Sequence, residues 1–134
     1  MTATIVPCLQ YADAPAAIDW LVRAFGFTAG LVVQGEEAGT IAHAQLHFRD
    51  GCIMLGTARD GIHRLQPPGA DGVPNQSIYV VIEDADALFV RAVAAGATIV
   101  MDLRDTDYGS RDFTCRDPEG HVWNFGTYAP DLPG

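Results

Sequence analysis

Residues 13–26, DAPAAIDWLVRAFG, decide the fold because residues 84–96, DADALFVRAVAAG, repeat their pattern. In each stretch an aspartate that can cap a helix precedes apolar residues with the spacing of one helical face, and a glycine closes the pattern. The capping residues are Asp13 and Asp84, the apolar residues are Ile18, Leu21, Val22 and Phe25 against Phe89, Ala92 and Val93, and the glycines are Gly26 and Gly96. The sequence therefore predicts two amphipathic helices in two copies of a unit about 70 residues long.

Extended segments surround both helices in the same order. One strand-like segment precedes each helix and three follow it, at about 4–11, 27–34, 40–49 and 52–57 in the first half and about 77–82, 98–101, 107–116 and 122–128 in the second. Asp50-Gly51 predicts a tight hairpin before the last strand of the first half, and DPEG at 117–120 occupies that place in the second. The predicted fold is α+β, with two βαβββ modules in tandem whose curved mixed sheets surround a cleft.

The organisation predicted from these segments is a single domain over residues 1–134. Module 1 covers about 1–58 and module 2 about 76–130. The connection between them, about 59–75, is rich in Pro and Gly. Connections of this length either link modules or cover a binding site, and the sequence is compatible with both roles.

The composition argues against several classes of partner. The 134 residues carry a net charge of −9, which repels nucleic-acid phosphates and anionic lipids, and no apolar run approaches the roughly 20 residues of a membrane span. Cys8, Cys52 and Cys115 are widely spaced without a Cys-x-x-Cys pair, so we expect reduced structural thiols. The chain begins without a secretory pattern. We therefore expect a cytoplasmic protein that binds neither nucleic acid nor membranes.

Three features carry a family resemblance. The duplicated unit, the FGF at residues 25–27 and the segment YGSRDFTCRDPEGHVWNFGTY at 108–128 resemble the vicinal oxygen chelate superfamily. That superfamily includes glyoxalase I enzymes, extradiol dioxygenases, fosfomycin-modifying transferases and bleomycin-resistance proteins, and the chain looks most like its glyoxalase and bleomycin-resistance members. The resemblance covers nearly the whole chain and implies a homodimer. Since the superfamily contains both enzymes and non-catalytic binders, the fold alone does not imply a reaction.

The resemblance also implies where a metal would be held. Metal-dependent members place ligands on four strands, and the corresponding positions here are Val6, Gln45, Ser77 and Asn124. None of them is His, Asp or Glu, and two amides, a hydroxyl and a valine supply no negative charge to a divalent cation. We therefore expect no metal at that place and no cofactor.

Strand alternation predicts which other side chains share the face of those four positions. Together with two polar residues on or near the penultimate strand, the candidate ligand-binding residues are His43, Gln45, His47, Ser77, Tyr79, Tyr108, Arg111 and Asn124. The opposite faces carry apolar side chains that are expected to pack beneath the helices, namely Leu46, Phe48, Trp123 and Phe125, with Trp20 of the first helix beside them.

Some of these candidates have a second interpretation. His43 and His47 stand at i and i+4 of a strand, roughly 13 Å apart, which is too far to chelate one ion together. They are otherwise partly exposed polar residues of the strand. Arg111 could bind a carboxylate or carbonyl of a ligand, and Tyr108 could stack on a planar one. Alternatively, Arg111 pairs on the surface with Asp107 or Asp112.

Three functions fit these residues. The first, which we expect, is a non-catalytic protein of the bleomycin-resistance type, a homodimer that sequesters an amphipathic or cationic small molecule without a metal. The second is a lyase, isomerase or dioxygenase of the same superfamily, with a displaced metal site at His43 or His47 or with metal-free acid–base chemistry. The third is a module that binds a protein or peptide, for which the sequence offers no anchor motif.

Overall fold

The structure, a computed structural model, describes residues 2–59 and 65–133 and divides the chain into two compact units, Met1–Pro68 and Gly69–Gly134. The elements of unit 1 are β1 (Cys8–Tyr11), α1 (Ala14–Phe25), β2 (Thr28–Gln34), β3 (Ile41–Phe48) and β4 (Gly51–Thr57). The elements of unit 2 are β5 (Ser77–Val81), α2 (Ala85–Ala94), β6 (Thr98–Asp105), β7 (Arg111–Arg116) and β8 (Val122–Gly126). Residues 60–64 of the predicted connection lie outside the described part of the chain.

Both units contain the same sheet. The strand order is β1-β4-β3-β2 in unit 1 and β5-β8-β7-β6 in unit 2. In each unit the strand before the helix pairs in parallel with the last strand, and the other neighbours pair antiparallel. A parallel pair requires a crossover connection, which begins with α1 in unit 1 and with α2 in unit 2. The predicted α+β fold of two tandem βαβββ modules with mixed sheets is confirmed.

The core of unit 1 lies between α1 and one face of its sheet. The inward strand residues are at most 4% exposed and are Leu9, Tyr11, Ala44, Leu46, Ile53 and Leu55. Trp20 of α1 is also buried, and its ring meets that of Phe25 edge-on at 4.9 Å. Leu46 and Trp20 are therefore core residues as predicted. Phe48 is only half-buried, at the end of β3, where its ring lies 5.7 Å from that of Phe27.

The strands of unit 2 contribute aromatic side chains to its core. Phe113 and Phe125 stack at 5.2 Å with an interplanar angle of 25°, and Trp123 stacks on Phe125 at 6.5 Å. Phe89 of α2 meets Phe113 edge-on at 5.3 Å. The prediction that Trp123 and Phe125 form core is confirmed, since both are fully buried. We call the side of each sheet that faces away from its helix the open face of that unit.

The two helices begin and end as the sequence predicts. Asp13 and Asp84 each accept a hydrogen bond from the third following backbone N–H, at 3.1 and 3.0 Å. Gly26 and Gly96 have φ of 83° and 96°, a left-handed conformation that favours glycine after a helix. Neither helix in the described residues is long and apolar enough to span a membrane.

Several strand boundaries differ from the prediction. β1 begins at Cys8 and not near Thr4, because Pro7 has no backbone N–H to donate to the neighbouring strand; its carbonyl still accepts from Met54 N at 2.9 Å. β6 continues to Asp105, four residues beyond the predicted end, because its antiparallel neighbour β7 supplies partners as far as Arg111. β7 and β8 are correspondingly shorter than predicted. The end of β6 therefore depends on the length of its partner strand, which the local sequence does not encode.

The turns between the last two strands are built differently in the two units. In unit 1 Phe48 pairs with Gly51, so the tight turn consists of Arg49 and Asp50, with Arg49 at φ 55°. The prediction of a tight hairpin is correct, but Gly51 already belongs to β4. In unit 2 the turn is longer and centres on the buried Asp117.

The Asp117 side chain organises the longer turn. Its Oδ1 accepts from the backbone N–H groups of Glu119 and His121 at 3.0 and 3.1 Å, and its Oδ2 accepts from Trp123 Nε1 at 3.0 Å. Arg116 donates from Nη2 to the carbonyls of Gly69 and Gly72 at 3.0 and 2.8 Å. The described end of the predicted connection is thus held against this turn.

Candidate functional site

The open face of unit 1 carries three candidate residues of β3. His43 and Gln45 are half-buried and His47 is exposed, whereas the alternating Ala44 and Leu46 are fully buried against the helix side. Gln45 Nε2 lies 3.1 Å from His43 Nε2. Because an amide nitrogen only donates, His43 Nε2 is the acceptor in this contact.

His47 is placed against the neighbouring strand. A Cβ added at Gly30 of β2 would lie 2.8 Å from His47 Nε2, so the imidazole covers this glycine. The contact lies at an irregularity of the β2–β3 register, between Ala29 and Val32. The absence of a side chain at Gly30 therefore leaves room for the ring beside the edge strand.

The remaining open face of unit 1 comes from β1 and β4. Cys8 and Gln10 alternate with the buried Leu9 and share the face of Gln45, since Cys8 and Gln45 both pair with Met54. Val6, one of the four positions implied by the family resemblance, precedes the strand. The expectation that Val6 lies on the first strand is wrong.

The open face of unit 2 contains a chain of neutral hydrogen bonds. Thr114 on β7 donates from its hydroxyl to Asn124 Oδ1 at 2.7 Å, and Asn124 Nδ2 donates to Ser77 Oγ at 2.8 Å. The register explains the contact. Asn124 on β8 pairs with Thr114 on β7 and with Tyr79 on β5, and Ser77 lies two residues before Tyr79 on the same face of the sheet. Asn124 and Ser77 are thus brought together as expected from their positions on parallel strands.

Two further candidates, Tyr79 and Tyr108, lie near the other end of the same face. Tyr79 donates its hydroxyl to the carbonyl of Tyr128 at 2.8 Å, and Tyr108 donates to Asp112 Oδ2 at 3.2 Å. Burial raises the pKa of Tyr79 above its usual value, so the hydroxyl remains a neutral donor at physiological pH. Asp112 was not a predicted site residue. Its place in an alternating strand was the available signal, but a charged side chain there also fits an exposed position.

Arg111 does not join the other candidates. It donates to Asp86 on α2 at 3.1 Å and forms an ion pair with Asp105 of β6 at 3.4 Å, both with exposed carboxylates. The hydrogen bond from Arg111 lowers the pKa of the Asp86 carboxyl below its usual value. The interpretation of Arg111 as a surface ion pair is correct, but the partners are not Asp107 or Asp112.

The three cysteines are free. Cys8 is exposed, Cys52 is half-buried and Cys115 is buried in unit 2. Burial raises the pKa of Cys52, and burial followed by the charge of Asp117 raises that of Cys115 to about 12. Because the thiolate is the reactive form, Cys115 is an inert thiol at neutral pH.

Within residues 2–59 and 65–133, no three His, Cys, Asp or Glu side chains are grouped so that they could hold a metal ion. Unit 1 also has a cavity of about 500 Å³ at the end of the β2–β3 hairpin, away from the predicted residues. Its lining is Gln34, Gly35, Glu36, Glu37, Thr40, Ile41, Ala42, Thr57, Ala58 and Arg59. Sequence reasoning did not identify this cavity, because backbone at strand ends forms much of it.

Comparison with known proteins gives consistent results. The family model described as Glyoxalase/Bleomycin resistance protein/Dioxygenase superfamily matches residues 4–125. The chain is 36% identical over 123 residues to an uncharacterized protein of Mycobacterium bovis, covering 90% of this chain and 80% of that protein. It is 32% identical over 124 residues to the anthracycline biosynthesis protein DnrV of Streptomyces peucetius, covering 85% of this chain but 44% of DnrV.

A solved structure with a high similarity is that of TioX from Micromonospora sp. ML1. Its TM-score is 0.73 and its sequence identity 36%, covering 98% of this chain and 100% of TioX. The similarity therefore extends over both units and all the candidate residues.

Proposed function

The chain belongs to the Glyoxalase/Bleomycin resistance protein/Dioxygenase superfamily, and we propose that it is a binding protein for an amphipathic or cationic small molecule. The ligand is held by neutral hydrogen-bonding groups on the open faces, with no metal in the binding step. Candidate contacts are His43, Gln45 and His47 in unit 1 and Ser77, Tyr79, Tyr108 and Asn124 in unit 2.

The observation that carries this proposal is the hydrogen-bond chain from Thr114 through Asn124 to Ser77. Asn124 Oδ1 and Nδ2 are both engaged, which fixes the amide orientation. Ser77 is exposed and accepts from Asn124, so its own O–H remains to donate to a ligand oxygen. A fixed amide ending in an exposed hydroxyl is suited to a carbonyl or hydroxyl group, whereas it offers no charge to a divalent cation.

The relatives support a class of ligand. DnrV is an anthracycline biosynthesis protein, which favours a planar polycyclic molecule as the ligand type to test first. The exposed rings of Tyr79 and Tyr108 offer apolar surface to such a molecule, and planar ligands stack on aromatic side chains.

The test is a binding titration of the purified chain against a panel of planar and cationic natural products. For any ligand found by thermal shift, isothermal titration calorimetry should show at least about tenfold weaker binding for Ser77→Ala and Asn124→Ala, as expected for loss of one good hydrogen bond. Gln76→Ala, an exposed neighbour before β5, should bind as wild type. Unchanged binding in both test variants would contradict the proposed site.

One observation favours a second function, metal-free acid–base catalysis. His43, held by the Gln45 amide, is a candidate general base at a half-buried position. Turnover of a ligand from the same panel that disappears in His43→Ala while binding persists would support an enzyme. Elemental analysis after supplementation with Ni, Zn, Fe, Mn or Co tests the displaced metal site, for which stoichiometric occupancy is required.

The proposal includes assembly and location. We propose a cytoplasmic homodimer organised as a single domain over residues 1–134, because isologous dimers are the commonest oligomers and the net charge of −9 suits a freely dissolved protein. Light scattering during size-exclusion chromatography should give twice the chain mass of 14.3 kDa. Protection of a susceptible host strain against the identified ligand would show a role in antibiotic resistance.

A further inference from the structure

Three exposed tyrosines gather at one corner of unit 2. Tyr79, Tyr108 and Tyr128 are 40%, 60% and 47% exposed, although tyrosine rings gain stability when buried. The rings of Tyr108 and Tyr128 meet edge-on with centroids 5.8 Å apart, and the hydroxyl of Tyr79 donates to the carbonyl of Tyr128. We call Tyr79, Tyr108, Tyr128 and the two residues that join them, Ser110 and Asp112, the tyrosine corner.

A buried carboxylate lies behind these rings. Asp112 is 7% exposed, and both of its oxygens accept hydrogen bonds from neutral hydroxyls. Ser110 Oγ donates to Oδ1 and Tyr108 donates to Oδ2. Ser110, itself 2% exposed, also accepts from Tyr128 N at 3.0 Å. Hydroxyl donors are the partners that a buried carboxylate requires, and Asp112 has one on each oxygen.

The basic residues nearby do not form an ion pair with this carboxylate. Arg104 is opposite Asp112 in the β6–β7 register, yet its Nη1 is buried without a hydrogen-bond partner. Arg111 pairs with Asp86 and Asp105. The carboxylates of Asp105 and Asp107 lie between Arg104 and Tyr108 in the sequence, and both are exposed. Within the described residues Asp112 thus has no direct ion pair, although Arg104 stands opposite it in the register.

Gly126 leaves room for the Asp112 carboxylate and the Tyr79 hydroxyl to approach each other. A Cβ at Gly126 of β8 would overlap both Asp112 Oδ1 and the Tyr79 hydroxyl. Any larger residue would displace the carboxylate or the tyrosine. The close approach of the two polar groups is thus part of the folded sheet and does not depend on a chance rotamer at its surface.

We infer that the tyrosine corner binds the organic ammonium group of a small molecule. Aromatic faces attract cations through their quadrupole, and a hydrogen bond from Tyr108 to a carboxylate makes its ring more electron-rich. The buried charge of Asp112 adds a Coulomb attraction that water screens less than it would at the surface. The exposed ring faces allow an ammonium group to approach, and the Asp112 carboxylate favours a cation over a neutral group.

This inference deepens the proposed binding function and rests on it for biological meaning, because it names the group by which an amphipathic ligand would be oriented. A small probe tests the corner by itself. Choline and 3,3-dimethylbutan-1-ol have nearly the same shape, but only choline carries a charge. Titration of the isotope-labelled full chain, followed by amide chemical shifts, measures affinity and locates the probe in one experiment.

We expect choline to bind at least tenfold more tightly than the neutral alcohol, with the largest shift changes at residues 108–112 and 126–128. Asp112→Asn should weaken choline at least tenfold and leave the alcohol unchanged. The matched control is Asp107→Asn, which removes the same charge from an exposed side chain in the same segment and should change choline affinity less than twofold.

Tyr108→Ala provides a variant that does not depend on a buried side chain, since Tyr108 is the most exposed of the three rings. It should weaken choline at least tenfold, and Tyr108→Phe about threefold, because Phe keeps the ring but loses the bond to Asp112. Equal affinity for the two probes, shifts elsewhere in the chain, or equal effects of Asp107→Asn and Asp112→Asn would overturn the inference.

The two proposals can fail separately. If Ser77→Ala and Asn124→Ala leave binding of the natural-product panel unchanged while choline still requires Asp112, the proposed site is wrong and the tyrosine corner stands alone. If the panel binds through Asn124 but choline and the alcohol bind with equal affinity, the binding function stands and the ammonium site is wrong.

Discussion

The two units share one topology but bury different chemistry. In the described part of the chain, the buried polar or charged side chains all belong to unit 2 and are Ser110, Asp112, Thr114 and Asp117. Buried side chains of unit 1 are apolar, apart from the hydroxyl of Tyr11. The apolar pattern is thus sufficient to form the βαβββ unit, and the polar groups of unit 2 serve purposes beyond the fold: one organises a turn and the others shape the open face.

The turn offers the largest expected difference between the units. Asp117→Asn places an amide where three donors converge, so at least one N–H loses its acceptor in a buried position. We expect a loss of about 3 kcal/mol in the free energy of unfolding, as for breaking a buried charged hydrogen-bond network. Asp50→Asn in the short exposed turn of unit 1 should change it by less than about 0.5 kcal/mol.

Urea unfolding monitored by fluorescence measures both variants, because each unit has one tryptophan. In a Trp20→Phe background the emission reports Trp123 in unit 2, next to the substituted turn. A smaller loss for Asp117→Asn than for Asp50→Asn would show that the buried carboxylate does not organise the turn. Separate transitions of the two tryptophans would require each unit to be fitted by itself.

A second contrast concerns two equivalent glycines on the open faces. Gly126 pairs with Val81 as Gly56 pairs with Gln10. A Cβ at 126 would overlap a carboxylate oxygen of Asp112 and the hydroxyl of Tyr79, whereas at 56 the nearest atom is a backbone oxygen at 3.2 Å. We expect Gly126→Ala to cost about 2 kcal/mol and Gly56→Ala about 1 kcal/mol, as for overpacking of different severity.

The same urea titration tests the glycines. Gly126→Ala should in addition remove choline binding at the tyrosine corner, while Gly56→Ala should preserve it. If both substitutions cost the same and choline binding survives in both, the close approach of Tyr79 and Asp112 at Gly126 is not a constraint on the sheet.

Alkaline pH should lower the stability of unit 2 through the buried thiol of Cys115. Its pKa in the folded chain is raised to about 12 from an ordinary value of 9.0, so above pH 9 the unfolded thiol loses its proton while the folded one keeps it. A raised folded pKa means that stability is complete below pH 9 and is lost progressively between pH 9 and pH 12. At pH 10, one unit above the ordinary pKa of the thiol, Cys115 lowers the free energy of unfolding by about 1.4 kcal/mol.

Cys115→Ala should remove this part of the pH dependence. The basic side chains of the chain are all arginines, which do not titrate in this range, so only tyrosines and cysteines contribute. Unfolding free energies of wild type and Cys115→Ala at pH 8 and pH 10 give the difference directly. An equal decline in both would assign the alkaline effect to the tyrosines and Cys52.

Local sequence signals predicted the helices and the order of strands correctly because their causes are local. Asp13 and Asp84 bond to backbone groups three residues away, and the closing glycines need only their own φ. The faces of β3 and β8 also followed from alternation, which placed Asn124 beside Ser77.

The remaining features depend on contacts that the sequence does not state. Asp112 is buried because Ser110 and Tyr108 fold back onto it, whereas a charged residue in a strand more often faces water. Arg111 bonds instead to Asp86 of α2, on the helix side of the sheet. The Arg111 contact joins a strand and a helix that only the fold brings together, and the Asp112 contacts are local but require the turn before β7.

The smallest expected effect is one in which the two units should agree. Asp13 and Asp84 accept nearly identical hydrogen bonds, from Ala16 N at 3.1 Å and Ala87 N at 3.0 Å. Replacing either by Ala should cost about 1 kcal/mol, the usual effect of an N-cap, measured by the same urea titration. α1 is anchored by seven buried residues and α2 by two, so a larger loss for Asp84→Ala would mean that the cap of a weakly anchored helix carries more of its stability. Equal losses would instead show that the cap acts only on its own first turn, and that the units differ in their polar groups and not in how their helices begin.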